Sequence, residues 1–213
     1  MVSLFGGGGG GGEGDKGPAL PELRLPPLPP GDLDKTQRLF HDESVAFIKA
    51  AFSGFRTQRE DGALLGPWTV WLRHPAIGQA AQALVAAVAG LHALPKREHE
   101  IVILAVGAHF DAAYELYAHC AVAGQAGLTD RQIAALVVGQ KPDDLSDAEA
   151  IAFDCASVLA RGGVLPGFLY AAAEKHFGAK GVAQLTYLAG TYAFVCIMLN
   201  AYDVPAPEVR AGG

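Results

Sequence analysis

Residues 100–119 read EIVILAVGAHFDAAYELYAH and predict two successive apolar helices joined by a short connection. Glu100 stands where the first helix turns apolar, shortly after Pro95, a residue that suits the first turn of a helix. In the second helix Glu115 and His119 are four residues apart, so they lie one turn above the other on a single face and can share a proton. Because helices joined by a short connection pack antiparallel, we expect these three side chains to converge on one pocket.

The composition predicts one folded domain with a substantial core. The chain has 213 residues, 51% of them hydrophobic, and a positive mean hydropathy. A net charge of −6 and a pI near 5.6, without a cluster of Lys or Arg interleaved with aromatics, disfavour nucleic acid as a partner. The three cysteines, Cys120, Cys155 and Cys196, are far apart and form no CxxC pair, which favours reduced thiols in a cytoplasmic protein.

The N-terminal stretch differs in composition from the rest of the chain. Residues 6–31 are first glycine-rich and then proline-rich, with little apolar surface to bury. We therefore expect residues 1–31 to form a flexible tail and residues 32–213 to form a single helical domain. The alternative is that residues 23–28 strap across a neighbouring subunit. The first residues lack the basic and apolar regions of a secretory signal, which also favours a cytoplasmic location.

Beyond residue 31 the hydrophobic periodicity is that of helices. No run of β-branched residues alternates with polar ones, so we expect an all-α fold without a sheet. Asp32 or Asp34, Thr129 and Ser146 are suited to cap the starts of helices. The predicted helices cover residues 35–55, 77–93, 95–109, 112–124, 130–138, 147–161, 166–176 and 179–202, with a short helical turn after Pro67 that carries Trp68 and Trp71.

The last predicted helix is apolar over about the length that spans a bilayer. Polar residues such as Gln184, Thr191 and Asn200 interrupt it, and no basic clusters flank it. We therefore expect no membrane span, but a helix that is buried on nearly all sides, in part by a subunit interface.

Several short motifs resemble those of a known family. They are GPW at 66–68, HP at 74–75, LP at 94–95, EIVIL at 100–104, YE at 114–115 with His119, AGL at 126–128 and LNAYDVP at 199–205. In their order and spacing, residues 62–208 resemble the carboxymuconolactone decarboxylase family, which belongs with the alkylhydroperoxidase D-like proteins. The resemblance implies an all-α fold built on a helix hairpin that carries the active site, and a homo-oligomer, either a trimer or a hexamer.

The resemblance also separates two kinds of chemistry. In the peroxidase branch a CxxC motif precedes the histidine, whereas Ala112 and Glu115 stand at those positions here. A carboxylate cannot form the sulfenic acid and disulfide of a thiol redox cycle. Cys120 points about 100° away from His119 around the helix and is interpreted as a packed cysteine. Glu115 and His119 match the decarboxylase branch, which implies acid and base roles for them.

Decarboxylation of a β-keto or β,γ-unsaturated acid leaves an enolate or dienolate that must be protonated. His119, with a reference pKa of about 6.5, suits that transfer, and Glu115 would orient it. Glu100, if desolvated, could stay protonated and act as the acid. The structural alternative is an ordinary surface pair between Glu115 and His119.

The sequence therefore predicts a cofactor-independent enzyme, a decarboxylase or lyase that acts on a small carboxylated or lactone-like ring compound. The alternatives are peroxiredoxin-type alkylhydroperoxidase activity through Cys120, and a non-catalytic oligomeric binding protein. An apolar or ring-bearing substrate is indicated by the candidate binding residues Trp68, Trp71, His74, Tyr114 and Tyr117, although His74 is equally suited to cap a helix. No His/Glu set offers three metal ligands, so we expect no metal and no cofactor.

Overall fold

The computed structural model describes residues 23–207, and helices make up most of this part of the chain. The helices are α1 (Lys35–Ala51), α2 (Pro67–Trp71), α3 (Pro75–Ala89), α4 (Lys96–Phe110), α5 (Ala113–Gln125), α6 (Asp130–Val137), α7 (Asp147–Ala160) and α8 (Gly167–Ala201). Within residues 23–207 there is no strand, and a single antiparallel bridge joins Gln58 to Leu64. The prediction of an all-α fold is confirmed.

Three helix starts are fixed by side chains that the sequence already indicated. The side chains of Asp34, Thr129 and Ser146 each accept a hydrogen bond from the backbone N–H three residues on. The side chain of that third residue in turn accepts a hydrogen bond from the backbone N–H of the capping residue. These reciprocal bonds satisfy donors that the first turn of a helix leaves free. The predicted caps are therefore confirmed, with Asp34 rather than Asp32 at the start of α1.

The fold is centred on α4, which packs against α5, α6, α7 and α8. Every residue from Ile101 to Val106 is buried, so this helix has no solvent-facing side over that stretch. A second apolar cluster joins α1, α2 and α3 to α5 and α8, with Phe40, Trp68, Trp71 and Tyr114 among its members. The polar residues of α4 and α5 that enter this interior are consequently removed from water.

The C-terminal helix changes direction at Gly178, whose φ of 66° and ψ of 174° are not helical. The break separates the two helices that the sequence predicts at 166–176 and 179–202. Among the described residues α8 is the one helix long and apolar enough to cross a bilayer, but 56% of its most apolar stretch is buried within the protein. This burial favours a core helix over a membrane span.

The described part of the proline-rich stretch contacts its own chain. Arg73 donates a hydrogen bond to the carbonyl of Pro26 at 2.6 Å, and Arg38 donates to the carbonyl of Pro30. Leu25 and Val204 line a small cavity between the two ends of the described chain. Residues 1–22 of the predicted flexible tail lie outside the described residues, and a strap across a neighbouring subunit remains a prediction.

Candidate active site

The hairpin of α4 and α5 brings the three predicted acid and base residues together. Asp111 takes a left-handed conformation (φ 50°) at the turn, and Gly107 allows close packing, since a Cβ there would lie 3.1 Å from Leu116 Cδ2. The two helices therefore run back along each other, which sets Glu100 of α4 beside His119 of α5.

Both ring nitrogens of His119 are paired with carboxylates. His119 Nδ1 donates a hydrogen bond to Glu100 Oε2 at 2.8 Å, and His119 Nε2 lies 3.1 Å from Glu115 Oε1. The three residues are only 6% (Glu100), 4% (Glu115) and 7% (His119) exposed. The structure brings the three side chains into contact, but Glu100 and Glu115 line different cavities rather than the one pocket predicted. The alternative of a surface pair is wrong because Glu115 and His119 are buried, and the catalytic roles of the three residues stay a prediction.

The pKa of His119 reflects this setting. Burial lowers the pKa, but the charge and hydrogen bond of Glu100 and the neighbouring Glu115 carboxylate outweigh it and raise the pKa from 6.5 to about 10. His119 is therefore an imidazolium at neutral pH, rather than a group poised near its reference pKa. Both ring nitrogens of His119 therefore carry a proton between the two carboxylates.

Tyr192 of α8 completes the surroundings of the imidazole. Its ring packs edge-on against His119, with centroids 5.1 Å apart and planes at 88°. Burial, together with the carboxylates of Glu115 and Glu100, raises the pKa of Tyr192 well above its ordinary value, so the phenol stays neutral. Tyr192 is not among the predicted site residues, because it lies within a long apolar helix and no motif distinguishes it from core residues.

The tryptophans line a small cavity on one side of His119. The cavity has a volume of about 40 Å³ and includes Trp68, Trp71, Tyr114 and Glu115 in its wall. Trp68 Nε1 donates to Gln82 at 2.9 Å, whereas Trp71 Nε1 is buried without a partner in residues 23–207. This volume is far below the roughly 300–1,000 Å³ of small-molecule sites, so the space is too small for a ring-bearing ligand.

The other predicted binding residues lie at different positions. His74 is exposed at the N-cap of α3 and lines neither the small cavity nor the larger one described next. Tyr117 is half-buried and its Oη accepts from the backbone N–H of Arg56 at 2.9 Å. Tyr114 Oη donates to the carbonyl of the same Arg56. The two tyrosines thus anchor the loop before α2, and of the pair only Tyr114 reaches the small cavity.

A larger cavity also includes His119 in its wall. Its volume is about 330 Å³, and its wall includes Glu100, Lys96, His92 and His99. Burial lowers the pKa of His99, against a smaller raising effect of Glu100, so His99 is neutral at pH 7. Lys96 is not among the predicted site residues either, although its position one turn before Glu100 on α4 indicates that both side chains lie on one face of the helix.

The two cavities meet different members of the site. Glu115 lines only the smaller cavity, Glu100 lines only the larger one, and His119 lines both. The His119 imidazolium thus lies in the wall of both cavities, beside Glu115 in the smaller one and Glu100 in the larger one. This arrangement can hold a proton and pass it to a molecule in either cavity.

The cysteines are placed unfavourably for thiol chemistry. Cys120 is half-buried and packs at the edge of the main core, and burial raises the pKa of its thiol. Cys155 and Cys196 are buried, and burial raises their pKa values also. In residues 23–207, no group of three or more His, Cys, Asp or Glu side chains is arranged to hold a metal ion.

Comparison with known proteins agrees with the fold and the hairpin. Residues 75–157 match the carboxymuconolactone decarboxylase family, a span that contains all of α3, α4 and α5. No curated protein matches the sequence significantly.

Solved structures share the fold at low sequence identity. The alkylhydroperoxidase AhpD core of an uncharacterised peroxidase-related protein from Ralstonia eutropha JMP134 is 16% identical, with a TM-score of 0.71 over 89% of this chain and 95% of that one. A cysteine-to-alanine variant of the debrominase Bmp8, in complex with 2,3,4-tribromopyrrole, is 14% identical, with a TM-score of 0.64 over 86% of this chain and 91% of that one. Residues 75–157 are thus similar to the carboxymuconolactone decarboxylase family, and the chain shares its fold with the alkylhydroperoxidase AhpD core.

Proposed function

We propose that this chain is a cofactor-independent proton-transfer enzyme, a decarboxylase or related lyase that acts on a small carboxylated or lactone-like ring compound. The observation that carries the proposal is the pairing of His119 with Glu100 and Glu115, all three of them buried. Burying three ionisable groups is costly unless they are mutually paired, and such groups cluster where a protein performs chemistry.

The chemistry of decarboxylation needs what these residues supply. When carbon dioxide leaves, the bond between the carboxyl carbon and its neighbour breaks, and the electron pair remains on the substrate as an enolate or dienolate. A proton must then be delivered to carbon. His119 holds such a proton at neutral pH because the two carboxylates raise its pKa to about 10.

The geometry favours Glu100 as the group that delivers the proton. Both nitrogens of His119 face carboxylates, so neither N–H is free to point at a substrate. Glu100 is the carboxyl group that lines the ligand-sized cavity. In the proposed route the proton passes from His119 to Glu100 and from Glu100 to the substrate carbon, while Glu115 holds the other side of the imidazole.

The proposed substrate lies in the larger cavity. A volume of about 330 Å³ is within the range of small-molecule sites, roughly 300–1,000 Å³. The walls there include the aromatic rings of Phe52 and Tyr192, which suit a planar or ring-bearing body. The similarly folded debrominase Bmp8 was solved with 2,3,4-tribromopyrrole, so a fold of this kind can hold a small substituted ring.

The second candidate is alkylhydroperoxidase-like antioxidant activity, which the similarity to the AhpD core favours. That reaction needs an accessible thiolate. Cys120 is the least buried cysteine, yet burial raises the pKa of its thiol and disfavours the thiolate. The described thiols therefore support this candidate less well than the buried acid and base residues support proton transfer.

The test is release of carbon dioxide from a panel of β-keto, β,γ-unsaturated and lactone carboxylates. We expect His119→Gln and Glu100→Gln to lower the rate on the active compound by about 10²–10⁴-fold, the usual contribution of a positioned acid or base. Glu98→Gln is the matched control, because Glu98 is a buried carboxyl on the same helix that lines neither cavity.

The other outcomes separate the alternatives. Peroxide turnover that depends on added thiol and disappears in Cys120→Ser would favour the antioxidant reaction. Binding of panel compounds without any turnover would favour a non-catalytic binding protein.

A further inference from the structure

The larger cavity contains a cation that the proposed proton transfer does not use. Lys96 is the one lysine or arginine in its wall, and Glu100 is the one carboxylate. Glu100 is already paired with His119, and no carboxylate in residues 23–207 lies within ion-pair distance of Lys96. The charge of Lys96 is therefore not compensated by a neighbouring acidic group of the described chain.

We propose that Lys96 is a specificity-determining residue that binds a carboxylate of the substrate, and specifically a carboxylate that the reaction leaves in place. This inference deepens the proposed function and rests on it for the assignment of which carboxylate is kept. The Lys96 ammonium and a substrate carboxylate form a charge-assisted hydrogen bond of the kind that orients small anionic ligands.

The position of Lys96 sets the distance between the bound carboxylate and the proton donor. Lys96 and Glu100 are four residues apart on α4, so their Cα atoms are separated by about 6 Å along the helix axis. Both side chains line the same cavity. A ring-sized substrate anchored at Lys96 thus reaches Glu100 with its far side.

The energetics of decarboxylation indicate that Lys96 binds the carboxylate that the substrate retains, not the one that leaves. An ion pair with the leaving carboxylate would stabilise the substrate more than the transition state, in which that charge moves away, and would slow the reaction. An ion pair with a second, remote carboxylate stabilises both states equally and orients the substrate. The preferred substrates are therefore anionic at two positions.

The neutral polar groups in the wall of the larger cavity can form hydrogen bonds with a substrate but carry no charge that would attract a carboxylate. His99 is neutral at pH 7, because burial lowers its pKa, so it offers a hydrogen bond but no permanent charge. The rest of the wall is mainly apolar and includes Phe52, Val122 and Tyr192. The His119 imidazolium also lines this cavity, but Glu100 and Glu115 pair with both of its ring nitrogens. Lys96 is therefore the cation of the wall that has no acidic partner in residues 23–207.

The first experiment measures binding of benzoate and of its neutral analogue benzamide by isothermal titration calorimetry. Lys96 is exposed at the wall of the cavity, so we expect Lys96→Gln to weaken benzoate binding by about fivefold, as for an exposed ion pair, and to leave benzamide unchanged. Lys35→Gln is the matched control, because Lys35 is likewise the first residue of a helix, is exposed and lines neither cavity. If wild-type protein does not bind benzoate, or if Lys96→Gln binds it as well as wild type does, the proposal is overturned.

A second experiment keeps this inference distinct from the proposed function. On an active dicarboxylate, Lys96→Gln should raise KM with little change in kcat, since it removes binding that substrate and transition state share. If benzoate binding depends on Lys96 but the protein turns over none of the compounds, the carboxylate-binding role of Lys96 is supported and the proposed function is contradicted. If a dicarboxylate is turned over and its KM is unchanged in Lys96→Gln, the proposed function is supported and the role of Lys96 is contradicted.

Discussion

His119 Nδ1 lies 2.8 Å from Glu100 Oε2, and this hydrogen bond joins residues that are 19 positions apart in the chain. Neither side chain has an appreciable solvent-exposed surface, so each depends on the other to offset the loss of water. The bond holds α4 and α5 in register at the point where the two cavities meet. Stability and proposed chemistry are thus linked through the same pair.

The first prediction concerns the pH dependence of stability. The pKa of His119 is raised from 6.5 to about 10 by folding, so the folded chain binds one more proton than the unfolded chain within that window. The contribution of His119 is fully present below pH 6.5 and is lost as the pH rises toward 10. The free energy of unfolding should fall by about 1.4 kcal/mol per pH unit in this range, as measured by urea denaturation.

His119→Gln provides the control for this titration. Thiols and phenols also titrate at alkaline pH, and their effects are common to the wild type and the variant. The difference in unfolding free energy between the wild type and His119→Gln should therefore decrease as the pH rises from 6.5 to 10. A difference that does not vary with pH in that window would mean that His119 is not held as an imidazolium.

Sequence reasoning could place the helices and the acid and base residues because local rules determine both. Side-chain caps mark the starts of α1, α6 and α7, and a short hairpin turns two helices antiparallel, which brings Glu100 to His119. The end of α1 was less predictable. Phe52 takes an extended conformation (φ −127°, ψ 145°), so the helix ends at Ala51 rather than near residue 55.

The location of the ligand-sized cavity could not be predicted from the sequence, because it depends on how aromatic side chains fill space. Trp68 and Trp71 pack edge-to-face with centroids 5.7 Å apart, and Phe52 packs on Trp68 at 5.9 Å. These contacts leave only about 40 Å³ beside the tryptophans. The larger space is also lined by His119 and by Tyr192 of α8, whose contact with His119 joins distant parts of the chain and follows from no local sequence pattern.

A second prediction concerns Cys120. Because its thiol is half-buried and its pKa is raised by burial, Cys120→Ser should retain the main activity and the wild-type melting temperature within a few degrees. Mass spectrometry after peroxide treatment should find no intramolecular disulfide. A disulfide that includes Cys120, together with thiol-dependent peroxide turnover, would point to the antioxidant reaction.

A third prediction concerns the glycine that precedes α2. Gly66 has a φ of 63°, and a Cβ there would lie 2.1 Å from Tyr114 Cε1. Gly66→Ala should lower the free energy of unfolding by about 2–4 kcal/mol, through backbone strain and displacement of the tyrosine ring. Gly190→Ala is the control, because Gly190 lies inside α8 and an added methyl group would meet no neighbouring side chain within 4 Å. That control should be neutral or stabilising by up to about 1 kcal/mol. Equal stabilities of the two variants would show that the loop before α2 is not constrained by Tyr114.

A fourth prediction concerns assembly. The side chains of Phe168, Tyr187 and Ile197 on α8 are large, apolar and exposed in the single chain, a pattern typical of surfaces that associate. We expect a trimer or a multiple of it by light scattering at micromolar concentration. Ile197→Lys should shift the mass toward that of the monomer, and a monomeric wild-type protein would contradict the prediction.

The His119 imidazolium lies between two buried carboxylates and lines both cavities. Its charge is tested most directly by ¹⁵N NMR of the histidine side chains, with the His119 signals assigned by their loss in His119→Gln. We expect both ring nitrogens of His119 to be protonated at pH 7 and the ring to titrate only near pH 10. A neutral His119 ring at pH 7, with one nitrogen unprotonated, would contradict it.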